Sequence, residues 1–191
     1  MRILVTGGAG YIGSILVPEL LKQGWPVTVI DNFMYRQNSL LAQCNQENFR
    51  IIRGDARDTE LIRREMINHD VIIPLAAIVG MPSCKQNPKL AYEVNFEAIR
   101  FITKIKSKHQ LLIFPNTNSG YGQGEGAKFT EESELNPISI YGTTKVDAEK
   151  AVREVENSVV FRLATVFGVS PKMRLDLLVN DFTYRAWNDG Y

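Results

Sequence analysis

Short apolar runs rich in Val, Ile and Leu alternate along this chain with longer stretches whose apolar residues recur at helical spacing. Strands apolar on both faces belong to parallel sheets covered by helices on either side, so the alternation predicts a doubly wound α/β domain. Residues 2–6 read as the first strand, 11–23 as a helix ended by Gly24, 26–30 as a second strand reaching Asp31, and 48–53 as the third. The pattern continues with a helix over 59–68, a fourth strand over 71–75, and a long helix over 89–108 carrying Leu90, Val94, Ala98, Phe101, Ile102 and Ile105. A fifth strand over 111–115, a helix over 141–155 and a sixth strand over 159–163 complete the set. Between them, 121–137 is rich in Gly and acidic residues and reads as a long loop over the sheet edge, of the kind that often carries function. There is no internal repeat and no low-complexity segment.

Directly after the first strand stands Thr6-Gly7-Gly8-Ala9-Gly10-Tyr11-Ile12-Gly13. In such a turn Gly7 permits the tight passage from strand to helix, Gly10 lets backbone approach phosphates, and Gly13 lets the helix pack closely on the sheet. The helix N-terminus, with N–H groups lacking intrahelical partners, then favours an anion. A three-glycine pattern alone is weak, but this one follows a strand, opens an amphipathic helix and is followed by Asp31 at the offset of a ribose-binding acid. A carboxylate there accepts from ribose hydroxyls and repels a 2′-phosphate, which favours NAD over NADP. The competing reading, a surface acid ending a strand, is kept open by Arg36 nearby.

A second stretch, Tyr141-Gly142-Thr143-Thr144-Lys145, opens a later helix. Four residues apart, Tyr141 and Lys145 share one helix face, so the ammonium is expected near the Tyr141 hydroxyl or the cofactor ribose, lowering a phenol pKa that starts near 10. The pair is common by chance; its company with the glycine turn makes it a candidate for proton exchange in nicotinamide-dependent alcohol oxidation.

Composition narrows the field. The 191 residues are 45% apolar and 23% charged with a net charge of +1, which fits one soluble globular domain and the start of a second. No basic block offers a footprint for nucleic acid, and no stretch approaches the roughly 18 apolar residues of a membrane span. Cys44 and Cys84 form no CxxC pair and are expected as buried thiols in a reducing, cytoplasmic setting; His69 and His109 are equally isolated, so no metal site is expected.

The chain resembles the extended short-chain dehydrogenase/reductase family, specifically its NAD-dependent sugar-nucleotide epimerases and dehydratases. Beyond the two motifs, Asn32 follows Asp31, Gly54-Asp55-Ala56 resembles the family's adenine contact, and Leu75-Ala76-Ala77 resembles its cofactor-lining turn. Tyr92-Glu93-Val94-Asn95 resembles the stretch whose Asn supports the nicotinamide end, and Thr117 occupies the place of the catalytic Ser or Thr. The resemblance implies a cofactor site built from Gly7, Gly10, Tyr11, Ile12, Asp31, Asn32, Asp55, Ala56, Leu75, Ala76, Ala77 and Asn95. It makes Thr117, Tyr141 and Lys145 the catalytic set, with Tyr141 taking a proton from a sugar hydroxyl at C4. Substrate contacts would come from Ser83, in a loop beside Cys84, and from Asn118, Ser119 and Thr165.

Departures refine this. The 4,6-dehydratases of the family have an Asp-Glu pair directly after the Thr, where this chain has Asn118 and Ser119; neither titrates usefully, which leaves epimerase or dehydrogenase chemistry. Pro74 and Thr165 stand where many members have His and Asn. The runs 115–122 and 173–184 are similar to a subgroup that oxidises C4 of GDP-linked heptoses for surface polysaccharide. By resemblance, 1–169 is the NAD-binding Rossmann domain and 170–191 the start of an incomplete substrate lobe, so cofactor binding without efficient turnover is expected. A homodimer through a four-helix bundle of the helices over 89–108 and 141–155 is also implied. A non-catalytic NAD-binding sensor would share the glycine turn but has no need of Thr117, Tyr141 and Lys145 together.

Overall fold

The computed structural model describes residues 1–123 and 128–190. Among these, six parallel strands form one sheet: β1 (Ile3–Thr6), β2 (Val27–Asp31), β3 (Phe49–Arg53), β4 (Val71–Pro74), β5 (Leu111–Thr117) and β6 (Ser158–Leu163), in the spatial order β3-β2-β1-β4-β5-β6. This is the doubly wound Rossmann arrangement that the alternation predicts, with the order reversing between β1 and β4.

Strand alternation divides the core in two. Leu4, Ile30, Ile72, Leu112 and Phe114 face one side, where they pack against α2 (Thr59–Met66) and the later helices through Ile62, Ile99, Ile102 and Val152. Ile3, Val5, Val29 and Ile73 face the other and meet Val17, Leu20 and Leu21 of α1 (Gly13–Lys22). The central strands are covered on both faces, so β1, β2 and β4 are buried along their whole length, while the edge strands β3 and β6 are partly exposed.

Chain punctuation sets the helix bounds. Asp58 caps α2 by accepting from the Leu61 N–H at 3.0 Å. Two short helices, α3 (Met81–Gln86) and α4 (Pro88–Tyr92), follow β4, and α4 runs through a π turn (Glu93–Glu97) into α5 (Ala98–Ile105). Ser83 and Cys84 therefore lie in α3 and not in a loop; with Pro82 near its start and only six residues, α3 gives no long apolar period to read. Ser139 caps α6 (Ile140–Arg153) through the Gly142 N–H at 3.0 Å.

Strand β5 runs two residues beyond its expected end, because 112–117 pair along the whole of β6. Its pairing to β4 stops at Leu112, so Pro115, which has no N–H to give, falls where only one neighbour remains. Cys84 is buried as expected, but Cys44 is exposed: it ends a single 3-10 turn (Leu41–Gln43) at the surface and reaches only the Leu40 carbonyl, at 3.7 Å. Of the loop over 121–137, positions 124–127 lie outside the described residues; the flanks carry no regular structure beyond isolated turns, and Tyr121 stacks on Phe129 with ring centroids 4.7 Å apart. The chain then reaches α7 (Leu178–Asn188), most of whose side chains are exposed.

Candidate active site

A cleft of about 460 Å³ opens at the carboxyl ends of the strands, beside the reversal of strand order. Its floor is the glycine turn. Gly7 has φ +69°, and a Cβ there would lie 2.5 Å from the Ala76 nitrogen, so the turn after β1 and the turn after β4 touch only because Gly7 has no side chain. Gly13 is equally constrained, but by the Gly8 carbonyl and not by the sheet, so it closes the turn on itself. α2 and α6 carry side-chain caps, whereas α1 has none and no acid in its first turn. Its positive end is thus left for an anion at Gly10, Tyr11 and Ile12, all of which line the cleft.

Asp31 lines the cleft from the end of β2. Its carboxylate accepts from the N–H groups of Ala9 at 3.0 Å and Phe33 at 2.8 Å and from Gln37 Nε2 at 3.1 Å. Burial pushes its pKa up against these three donors. An ionised carboxylate has about four acceptor positions, so it retains capacity for a hydroxyl. Asn32, Asp55 and Ala56 continue the wall; Asn32 Nδ2 donates to Asp55 at 3.4 Å, and hydrogen bonds from Arg57 hold the Asp55 carboxyl below its usual range. Leu75, Ala76 and Ala77 form the opposite side.

Asn95 does not line the cleft. It sits buried in the π turn, where Oδ1 accepts from the Ile78 N–H at 2.8 Å and Nδ2 donates to the Ile78 carbonyl at 3.0 Å and to Thr144 Oγ1 at 3.2 Å. Its effect is indirect: it ties the cleft-lining turn after β4 to the helix that bears Tyr141 and Lys145.

Tyr141 and Lys145 both line the cleft, yet their relation differs from expectation. Lys145 Nζ donates to the Pro115 carbonyl at 2.8 Å and lies 4.0 Å from the centroid of the Phe114 ring. Burial pulls its pKa down to about 7, with the Glu149 charge opposing. No lowering of Tyr141 by Lys145 results: burial raises the phenol, the Thr117 hydroxyl and the Arg174 charge pull the other way, and the net shift is upward. The buried ammonium finds its acceptor on β5, which the four-residue spacing alone does not reveal. Thr117 stands at the end of β5, its Oγ1 donating to Ser119 Oγ at 3.1 Å and accepting from the Ser119 N–H at 3.2 Å.

Ser83 lines the cleft, while Asn118, Ser119 and Thr165 are exposed and not among its lining residues. Sequence reasoning missed two contributors. Segment 172–176 forms a wall facing Met34, Tyr35 and Gln37, with Lys172 Nζ 5.3 Å from the Tyr35 ring centroid; nothing local signals this return. Behind the site, buried Glu149 takes Asn116 Nδ2, Arg153 Nε at 3.0 Å and Arg162 Nη2 at 2.6 Å. The spacing of Lys145 and Glu149, one helical turn apart, was the available signal.

Comparison with known proteins agrees with this geometry. Residues 3–186 match the NAD dependent epimerase/dehydratase family. A UDP-N-acetyl-alpha-D-glucosaminuronate decarboxylase of Bacillus cytotoxicus is 37% identical over 145 residues, covering 75% of this chain and 43% of that protein. An uncharacterized UDP-glucose epimerase of Bacillus subtilis is 34% identical, covering 93% of this chain and 60% of its own length. The chain thus spans about half the length of these curated relatives. Among solved structures, UDP-glucuronic acid 4-epimerase from Bacillus cereus in complex with NAD superposes with a TM-score of 0.86 at 28% identity, over 99% of this chain and 63% of that one. The dTDP-glucose 4,6-dehydratase DesIV from Streptomyces venezuelae, with NAD bound, gives 0.87 at 27% identity over 100% of this chain and 63% of its own. With its glycine turn, Tyr-Lys pair and strand order in one cleft, the chain belongs to the NAD-dependent epimerase/dehydratase family.

Proposed function

We propose that the cleft holds NAD and serves oxidation at C4 of a nucleotide-linked sugar, as an epimerase or dehydrogenase in surface-polysaccharide sugar synthesis. The observation that carries this is the convergence of the uncapped glycine turn, Tyr141 and Lys145 on one cleft, with Thr117 behind its lining at the end of β5, its hydroxyl near enough to pull the Tyr141 pKa down against burial. Asp31 would hold the adenine-side ribose and the N-terminus of α1 the pyrophosphate. Bound NAD supplies the acceptor for the hydride that leaves the sugar.

The chain's own residues manage the proton. Tyr141 removes it from the C4 hydroxyl while Thr117 Oγ1 holds the same oxygen. Burial keeps Tyr141 protonated in isolation, so its phenolate depends on neighbouring positive charge; Arg174 supplies some, and Lys145 supplies more once ribose hydroxyls give its ammonium a second acceptor. Asn118 and Ser119, exposed and unable to titrate usefully, argue against water elimination at C5 and C6.

The protein acts in the cytoplasm and pairs with a second copy through helices 88–105 and α6. The first of these presents Tyr92, 45% exposed, against Phe96 at 5.1 Å. No helix among the described residues is long and apolar enough to cross a membrane.

Absorbance at the NADH wavelength, for a polypeptide extended with a C-terminal substrate lobe and given NAD and a panel of UDP-, dTDP-, CDP- and GDP-sugars, tests the reading when combined with product analysis. A substrate-dependent rise, or an epimer formed without net reduction, is expected, and Tyr141→Phe lowers either by about 10²–10⁴-fold. NAD binding with neither signal for any sugar would favour a non-catalytic sensor.

A further inference from the structure

We infer that Tyr11 and Asn180 are positioning residues that couple occupancy of the glycine turn to the placement of Arg174 in the cleft. The inference rests on the proposal that the turn holds NAD.

Helix α7 is held to the domain in an unusual way. Leu178, Phe182 and Trp187 are exposed, while the buried residue of the helix is polar: Asn180, 5% exposed. Its Oδ1 accepts from the Gly168 N–H at 2.9 Å, and its Nδ2 donates to the Tyr11 hydroxyl at 3.0 Å and to the Arg174 carbonyl at 2.9 Å. The Tyr11 hydroxyl in turn donates to the Gly168 carbonyl at 2.6 Å. Ser170, also buried, donates to the Tyr11 carbonyl at 2.8 Å and sits 2.8 Å from Ser14 Oγ in the first turn of α1.

The return of 168–180 is therefore fastened by a hydrogen-bond network that runs through Tyr11 and Ser14 into the glycine turn and the start of α1. Between the fastened points lies Arg174, a cleft residue whose guanidinium pairs with Asp176 at 2.5 Å and whose charge acts on Tyr141. Hydrogen bonds have strict geometry, so a ligand that orders Tyr11 favours the docked segment, and a docked segment favours the ligand in equal measure.

Hydrogen exchange of the 191-residue chain, with and without NAD, reads the coupling directly. Saturating NAD is expected to slow exchange across 168–176. Asn180→Ala, which removes no cleft-lining group, is expected to weaken NAD binding at least about fivefold and to abolish that protection even at saturation. Tyr11→Phe, which deletes one oxygen and keeps the ring, is expected to act likewise and decides the matter if the first variant does not fold. A merely structural role would lower the unfolding midpoint yet leave the NAD-induced protection intact; that result, or a wild-type segment indifferent to NAD, overturns the inference. Failure of the wild-type chain to bind NAD at all would overturn the reading beneath it.

Discussion

Lys145 is buried with one carbonyl acceptor and the face of Phe114, and burial brings its pKa from 10.5 to about 7. Keeping an ammonium there costs stability that a thioether would not, so Lys145→Met is expected to raise unfolding stability in urea by about 1 kcal/mol while weakening NAD binding by calorimetry. Opposite signs in the two measurements distinguish a site residue from a packing residue. At this scale Gly7, Asp31, Ala76, Tyr141 and Lys145, all singled out from the sequence, do line the cleft, because spacing within a turn or one helix is local information. What sequence reasoning misjudged was which groups touch across the fold. The acceptor of Lys145 lies on a separate element, β5, and Asn95 works one layer back by gripping Ile78.

Helix α6 carries Tyr141 and Lys145 and must be held in register with β5 and β6. Burial pushes the Glu149 carboxyl up, but hydrogen bonds from Arg162 and Asn116 and the charges of Arg162 and Arg153 outweigh this and hold it ionised. Arg162 also reaches the Tyr121 hydroxyl at 3.0 Å and the Glu131 carbonyl at 3.1 Å, joining β6 to the flanks of the long loop. Arg162→Met leaves the buried Glu149 carboxylate with only the more exposed Arg153 and the Asn116 amide and is expected to cost at most about 3 kcal/mol in urea unfolding; adding Glu149→Gln should recover part of that loss. Such a pair is invisible to periodicity, which sees one element at a time. The same limit explains α3 and the π turn: the first is too short to show a period, and the second only slips an amphipathic pattern by one residue. The long strands and helices were legible because each gathers its apolar residues on a continuous face.

At the scale of the whole molecule, acid is the expected weakness. His69 is buried, its Nδ1–H donating to the Glu65 carbonyl at 2.5 Å, and burial pushes its pKa from 6.5 to about 4, assisted by the charges of Arg50 and Arg2. The unfolded chain therefore takes a proton between these values that the folded chain refuses. The His69 contribution, present in full above 6.5, is lost as pH falls toward 4. Thermal midpoints followed over that window should fall less steeply in His69→Gln than in the wild type. The sheet itself has a further consequence. β1, the first strand to be synthesised, pairs with both β2 and β4, and its glycine turn is closed by Ala76, while Tyr141 and Lys145 follow much later in the chain. On the ribosome the strand reversal and the glycine turn are thus made before Lys145 and segment 172–176, which supply the remaining walls, so a chain stalled after β4 would present the turn with only part of the cleft around it.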